Sequence, residues 1–188
     1  DRAVMELHSG FENPEWPSEL VSGGENAKTF RCLEKVLRAM AGSHLDRSAR
    51  LVAIGGGSIG DLGGFAASTF LRGIDLVQIP TTLLAMLDSS VGGKTAINLP
   101  EGKNLVGSFH PASLVLADME FLDTLSDAEF RSGLGEALKA GIGLDRELFL
   151  LLEKEREKVL ARDPAMLADV VSLGIRAKIR VVEEDPKE

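Results

Sequence analysis

Residues Leu51–Asp61 read LVAIGGGSIGD, a short apolar run that passes straight into three glycines and then into the helix-compatible stretch Leu62–Phe70. An apolar run of this length, ended by turn residues, is the pattern of a buried strand. Glycines directly after a strand let the backbone come close to a ligand. The free N–H groups at the start of the following helix favour a phosphate, for which a dinucleotide pyrophosphate is the natural candidate. The spacing is not GxGxxG. The turn alone is equally well explained as a tight strand–helix connection.

Working outward, Leu76–Ile79 (LVQI) is a second strand ending at Pro80, and Leu114–Leu116 is a third ending at Asp118. Between Glu25 and Met40 the apolar residues Phe30, Leu33, Leu37 and Met40 recur at helical spacing. Strands alternating with helices and glycine-rich turns specify a parallel α/β sheet. Nearer the start, Val4–Leu7 reads as a short strand, and Asn13-Pro14 to Pro17 as a loop. After residue 125 no strand pattern remains. Ser126 with Glu129 forms a capping box that opens a helix whose apolar stripe includes Phe130, Leu134 and Leu138. A second helix is expected from about Arg146 to Arg162, and a third starts at Asp163-Pro164, with Asp as N-cap and Pro at the first helical position. The boundary falls near residues 120–126, giving an α/β domain over 1–122 and an all-α one over 123–188.

Composition narrows the function classes. The 188 residues are 44% hydrophobic and 27% charged, as in ordinary globular proteins, and no run has the ~18 apolar residues of a membrane span. The net charge is −8, from 21 basic and 29 acidic side chains, and no Lys/Arg cluster offers a nucleic-acid surface. The one cysteine, Cys32, excludes an internal disulfide framework and fits a reducing cytoplasm. Arg72, Lys94 and Lys103 are instead single cations in uncharged, glycine-bearing segments. Pro80-Thr81-Thr82 puts two hydroxyls at a strand C-terminus, the edge where open parallel sheets bind ligands. Residues 88–94 (DSSVGGK) combine an acid, two hydroxyls, two glycines and a cation, and residues 102–104 (GKN) repeat the theme. Each is weak alone. Together they point to a polar cleft that receives anions.

At this level the chain resembles the dehydroquinate synthase family. The segments that carry the likeness are GGGSIGD (55–61), GFAASTFLRG (64–73), PTTLL (80–84), DSSVGGKTAIN (88–98), GKN (102–104) and GLGEALKAG (133–141), in order and at family spacing over roughly residues 23–188. The resemblance implies a Rossmann-like NAD-binding domain followed by the start of an all-α metal-binding domain. It also implies an enzyme that turns 3-deoxy-D-arabino-heptulosonate 7-phosphate into 3-dehydroquinate and phosphate, using NAD and a divalent metal, zinc or cobalt. In the family scheme NAD removes a hydride from a ring carbinol, phosphate is eliminated, the hydride returns, and an intramolecular aldol closes the carbocycle. The protein contributes orientation and charge stabilisation.

Residue by residue, the resemblance places Gly23, Gly24, Glu25, Asn26, Ala27 and Lys28 under the adenosine end of NAD, with Glu25 and Lys28 as polar contacts. Gly57, Ser58, Ile59, Gly60 and Asp61 match the pyrophosphate turn. Thr81, Thr82 and Ser89 fall among further cofactor contacts, as do Lys94, Lys103 and the segment Phe121, Leu122, Asp123 and Thr124. Asp88, Asn104, Lys139 and Lys178 match substrate contacts, Lys178 lying seven residues before Asp185 as in the family's K-x6-D pattern. Arg72 matches an arginine that reaches the substrate phosphate of the neighbouring subunit, which implies a homodimer. Glu136 matches a metal ligand. Without the resemblance, Glu136 and Lys139 read as an ordinary i,i+3 surface pair.

Three departures stand out. The family's histidine ligands come from a segment that would begin where this chain stops, and its first strand and helix would precede Asp1. His8, His44 and His110 have no metal-ligand spacing to Glu136 or to one another. Ala140 stands where a tyrosine is common. The sequence therefore reads as a piece of a longer enzyme, expected to be inactive alone because one carboxylate cannot hold a catalytic zinc. Three other readings stay open: a sister sugar-phosphate cyclase making a deoxy-inosose or a valiolone, a glycerol dehydrogenase-like enzyme, and an NAD-binding fragment without activity.

Overall fold

The computed structural model describes residues 1–8 and 16–185. Of the loop expected from Asn13-Pro14 to Pro17, residues 13–15 lie outside the described residues, and Trp16 and Pro17 are in neither helix nor strand. The first element is α1 (Arg2–Leu7), a helix where a strand was expected. The Asp1 carboxylate accepts the Ala3 N–H at 2.9 Å, an N-cap that settles a six-residue segment too short to show a period. A 3-10 turn at Glu25–Ala27 leads to α2 (Phe30–Gly42), which Thr29 caps through the Cys32 N–H. Leu33 and Met40 are its buried residues.

The sheet is parallel, as the sequence implied. β1 (Arg50–Gly55) pairs residue for residue with β2 (Asp75–Pro80), and β2 pairs with the short β5 (Leu114–Val115), in the order β1-β2-β5. Gly55 and Pro80 are register partners, so both strands deliver their following loops to one edge. Between β1 and β2 runs α3 (Gly57–Thr69), starting five residues earlier than the sequence suggested and buried along most of its length. Leu71 and Arg72, which follow it, have φ of 49° and 72°, a left-handed conformation costing non-glycine residues about 1–2 kcal/mol each.

Residues 94–109 form an element that the sequence pattern did not announce. β3 (Lys94–Leu99) and β4 (Gly102–Phe109) make an antiparallel hairpin outside the main sheet. It packs on α3 through the buried Thr95 and Ile97.

Four helices follow a 3-10 turn at Met119–Leu122: α4 (Asp127–Gly143), α5 (Arg146–Lys154), α6 (Arg156–Leu160) and α7 (Pro164–Glu184). Ser126 and Asp163 cap α4 and α7 as expected. The single helix expected over Arg146–Arg162 is broken at Glu155 into α5 and α6. The stripe expected on α4 is also different. Phe130 is buried and Leu134 partly so, but Leu138 is 44% exposed, and the helix also buries Gly133, Ala137, Ala140 and Gly141. Space decides this: a Cβ on Gly133 would lie 2.6 Å from the Leu83 Cβ, so α4 approaches on its smallest residues.

Two apolar cores result. One joins α2, α3, β1, β2 and the hairpin through Leu33, Leu62, Phe65, Leu76 and Ile97. The other joins α4–α7 through Phe130, Leu148, Val159, Leu167 and Val170, and it also takes in Leu83, Met86 and Leu87 from the segment after β2. Each such side chain contributes about 1.5–3 kcal/mol. The helical layer is thus seated on the loop that leaves the sheet. No helix among the described residues is long and apolar enough to cross a membrane.

Candidate active site

The C-terminal ends of β1 and β2 meet at a shared edge, where the Thr81 N–H donates to the Gly55 carbonyl at 3.0 Å. α3 starts there with Gly56 at its N-cap and no side chain capping it. The Ile59 N–H already donates to the Gly56 carbonyl at 3.0 Å, which leaves the N–H groups of Gly57 and Ser58 for an anion seat. Opposite them a Cβ on Gly57 would lie 2.7 Å from Ser89 Oγ, so glycine is what lets this hydroxyl come so close to the cradle at the start of α3. Ser89 Oγ is buried and has no hydrogen-bond partner. A buried hydroxyl without a partner costs about 1–3 kcal/mol, and a phosphate oxygen at the cradle would satisfy it. These residues fit the pyrophosphate of a dinucleotide. Thr82 Oγ1 accepts the Ala85 N–H and so caps the turn that follows.

A buried polar node lies behind the cradle. Lys28 is 3% exposed, and its Nζ donates to Asp61 at 2.5 Å and to the Asn104 side-chain oxygen. Lys28, expected at the cofactor, thus bonds two other expected site residues. Burial pushes the Asp61 carboxyl above its ordinary range, with the Lys28 ammonium opposing it. Glu25 stands at the rim, 2.8 Å from the Asn98 amide nitrogen and 3.7 Å from Lys103 Nζ. The Asn98 hydrogen bond is the main reason its carboxyl sits below the usual range, with Lys28 and Lys103 helping. The Gly24 N–H donates to Ser58 Oγ at 3.1 Å, which docks the 23–28 turn on the first turn of α3.

The second cluster belongs to the helical layer. Asp88 pairs with Lys178 of α7 at 2.9 Å, and Glu136 pairs with Lys139 on α4 at 2.5 Å. Asp88 and Lys178 both act electrostatically on Lys139, whose ammonium is held above its ordinary range first by the Glu136 hydrogen bond. Four expected substrate and metal residues therefore converge from the loop after β2, α4 and α7. Among the described residues no group of three or more His, Cys, Asp or Glu could hold a metal. Glu136 is one carboxylate, and a complete metal set does not fit these residues.

Other expected residues lie elsewhere. Ala27, Ile59, Phe121 and Leu122 are core side chains, so any cofactor contact they make is through backbone. Thr124 Oγ1 lies 3.0 Å from His8 Nε2, and His8 packs edge-on against Phe121. His110 Nε2 lies 2.9 Å from the Ile74 carbonyl oxygen. Arg72 follows α3 and so stands about 20 Å from the cradle at the opposite edge of the sheet. Lys94 opens β3 and is exposed. Asn98 carries no sequence signal of its own, although its side chain bonds to two of the expected residues.

Residues 19–132 match the 3-dehydroquinate synthase N-terminal family, and residues 133–188 match the 3-dehydroquinate synthase C-terminal family. The chain belongs to the 3-dehydroquinate synthase family. It is 50% identical over 169 residues to the 3-dehydroquinate synthase of Pelobacter propionicus, covering 90% of this chain and 47% of that protein. It is 45% identical over 191 residues to that of Nostoc punctiforme, covering 100% and 52%. The chain thus spans about half the length of the curated relatives it matches. Among solved structures, 2-epi-5-epi-valiolone synthase from Streptomyces hygroscopicus, with NAD+ and Zn2+ bound, superposes with a TM-score of 0.84 at 36% identity, over 89% of this chain and 48% of that one. A 2-deoxy-scyllo-inosose synthase complexed with carbaglucose-6-phosphate, NAD+ and Co2+ gives 0.81 at 33%, over 87% and 45%. Glycerol dehydrogenase from Schizosaccharomyces pombe, at 20% identity and a TM-score of 0.63 over 84% of this chain and 45% of that one, shares the family's fold.

Proposed function

We propose that this chain is the NAD-binding half and the first helices of the catalytic half of a 3-dehydroquinate synthase. The whole protein would convert 3-deoxy-D-arabino-heptulosonate 7-phosphate into 3-dehydroquinate and phosphate, as a cytoplasmic homodimer with Arg72 serving the neighbouring subunit. The observation that carries this reading is the juxtaposition of Asp88, Glu136, Lys139 and Lys178 across the seam from the α3 cradle. NAD, when bound, supplies a reversible hydride acceptor. The cradle, with the α3 N-terminus and Ser89, would hold its pyrophosphate, and Glu25 would reach the adenosine end. Lys139 and Lys178 are each held by a carboxylate, and an anionic sugar-acid phosphate would compete for them, which orients it between α4 and α7. Lys94 and Asn104 enter from the hairpin. A divalent metal would take Glu136 as one ligand and needs others beyond the described residues.

Incubating the whole protein with NAD, zinc and the heptulosonate phosphate should release phosphate with no net NADH. Faster turnover of the sister cyclases' sugar phosphates would move the assignment to one of them, and accumulating NADH would move it to the dehydrogenases. The 188 residues by themselves should bind NAD and release no phosphate.

A further inference from the structure

The hairpin register is broken at one place. Ile97 faces Val106 and Leu99 faces Gly102, so residues 103, 104 and 105 of β4 stand opposite the single residue Asn98 of β3. Bulges of this kind re-aim side chains next to ligand sites. Here the extra residues include Lys103 and Asn104, the two hairpin residues with expected roles. Asn104 has φ 58°, a left-handed conformation that asparagine adopts more readily than most residues and that a partner holds here.

That partner is Asn98. Its side-chain oxygen accepts the Asn104 backbone N–H at 2.9 Å, and its amide nitrogen donates to Glu25 Oε2 at 2.8 Å. Its backbone N–H, released from the ladder by the bulge, donates to the Lys28 carbonyl at 2.8 Å. One residue thus binds both ends of the 25–28 turn and the tip of the bulge. Glu25 lies 73 positions from Asn98 in sequence, so these bonds join separate parts of the chain.

We infer that Asn98 is a positioning residue that clasps the cofactor-side turn 25–28 to the bulge presenting Lys103 and Asn104. The carboxamide suits this role because its separate oxygen and nitrogen offer an acceptor to Asn104 and a donor to the Glu25 carboxylate at once. The inference deepens the proposed function and rests on its NAD-binding reading for the binding assay below.

The test is a charge-swap cycle in the whole protein. Asn98→Asp keeps size and the acceptor for Asn104, but sets a carboxylate against Glu25. NAD binding by calorimetry should weaken about 5–10-fold, on the scale of one charge-assisted hydrogen bond. Glu25→Gln supplies a donor again. Since Glu25 is itself expected at the adenosine end, the Asn98→Asp loss is read in both backgrounds and should shrink in the Glu25→Gln one. A fold defect would not be repaired by that second change. The Asn104 amide in the unaltered protein should also exchange its hydrogen slowly, although it sits in an exposed bulge, and Asn98→Leu should speed it at least tenfold. If the unaltered protein does not bind NAD, the proposed function fails, and the exchange measurement still decides the clasp. Rapid Asn104 exchange in the unaltered protein, or an Asn98→Asp defect that Glu25→Gln leaves untouched, would overturn it.

Discussion

The two polar clusters hold one lysine each in opposite ways. Behind the cradle, Lys28, Asp61 and Asn104 are bonded to one another around the buried ammonium. In the helical layer, Lys139 is 69% exposed beside Glu136 at 18%, while the neighbouring Lys178–Asp88 pair is mostly covered, at 16% and 33%. A buried charge pair is held in one geometry by the cost of leaving either partner alone. An exposed pair costs little to separate. Lys28 is therefore fixed where it stands, whereas Lys139 can leave Glu136 at little cost.

The sharpest way to break this contrast is Lys28→Met. It strands the Asp61 carboxylate, and denaturant unfolding should show a loss of about 3–5 kcal/mol. Adding Asp61→Asn should return part of it, since burial already holds that carboxyl above its ordinary range. Next in size is the seam between the layers. Gly133→Ala puts a methyl 2.6 Å from the Leu83 Cβ and 2.8 Å from the Leu84 nitrogen. Overpacking of about 1–3 kcal/mol should outweigh the helix-propensity gain of about 1 kcal/mol, leaving a lower melting temperature. The smallest effect belongs to Lys139→Met. Its i,i+3 pair is worth about 0.2–0.5 kcal/mol, so the melting curve should nearly overlay the original. A loss of about 3 kcal/mol there, the scale of a broken buried pair, would abolish the distinction between the clusters.

Much of this was legible in residues whose signal is local. LVAIGGG and LVQIP announced β1 and β2, and Asp163-Pro164 announced the start of α7 to the residue. The hairpin escaped because Gly92, Gly93, Pro100 and Gly102 read as loop, although Thr95 and Ile97 carried a faint alternation. The inward face of α4 escaped for a physical reason: Gly133 and Ala137 are buried because the neighbouring turn is so close, and no hydrophobicity pattern reports closeness. Asn98 escaped because its partners are distant in sequence and an asparagine near a turn is ordinary by itself.

The matched ends of β1 and β2 have a further consequence. Since Arg50 faces Asp75 and Gly55 faces Pro80 without a slip, the two strands act as a ruler that sets the cradle and the threonine loop level. Deleting one residue from either would shorten the ruler by about 3.3 Å and turn every later side chain to the opposite face. Substitutions can accumulate along these strands, but gains and losses of residues must be confined to connections such as Ser43–Ala49. Within this fold, inheritance can rewrite the letters of the strands and not their length.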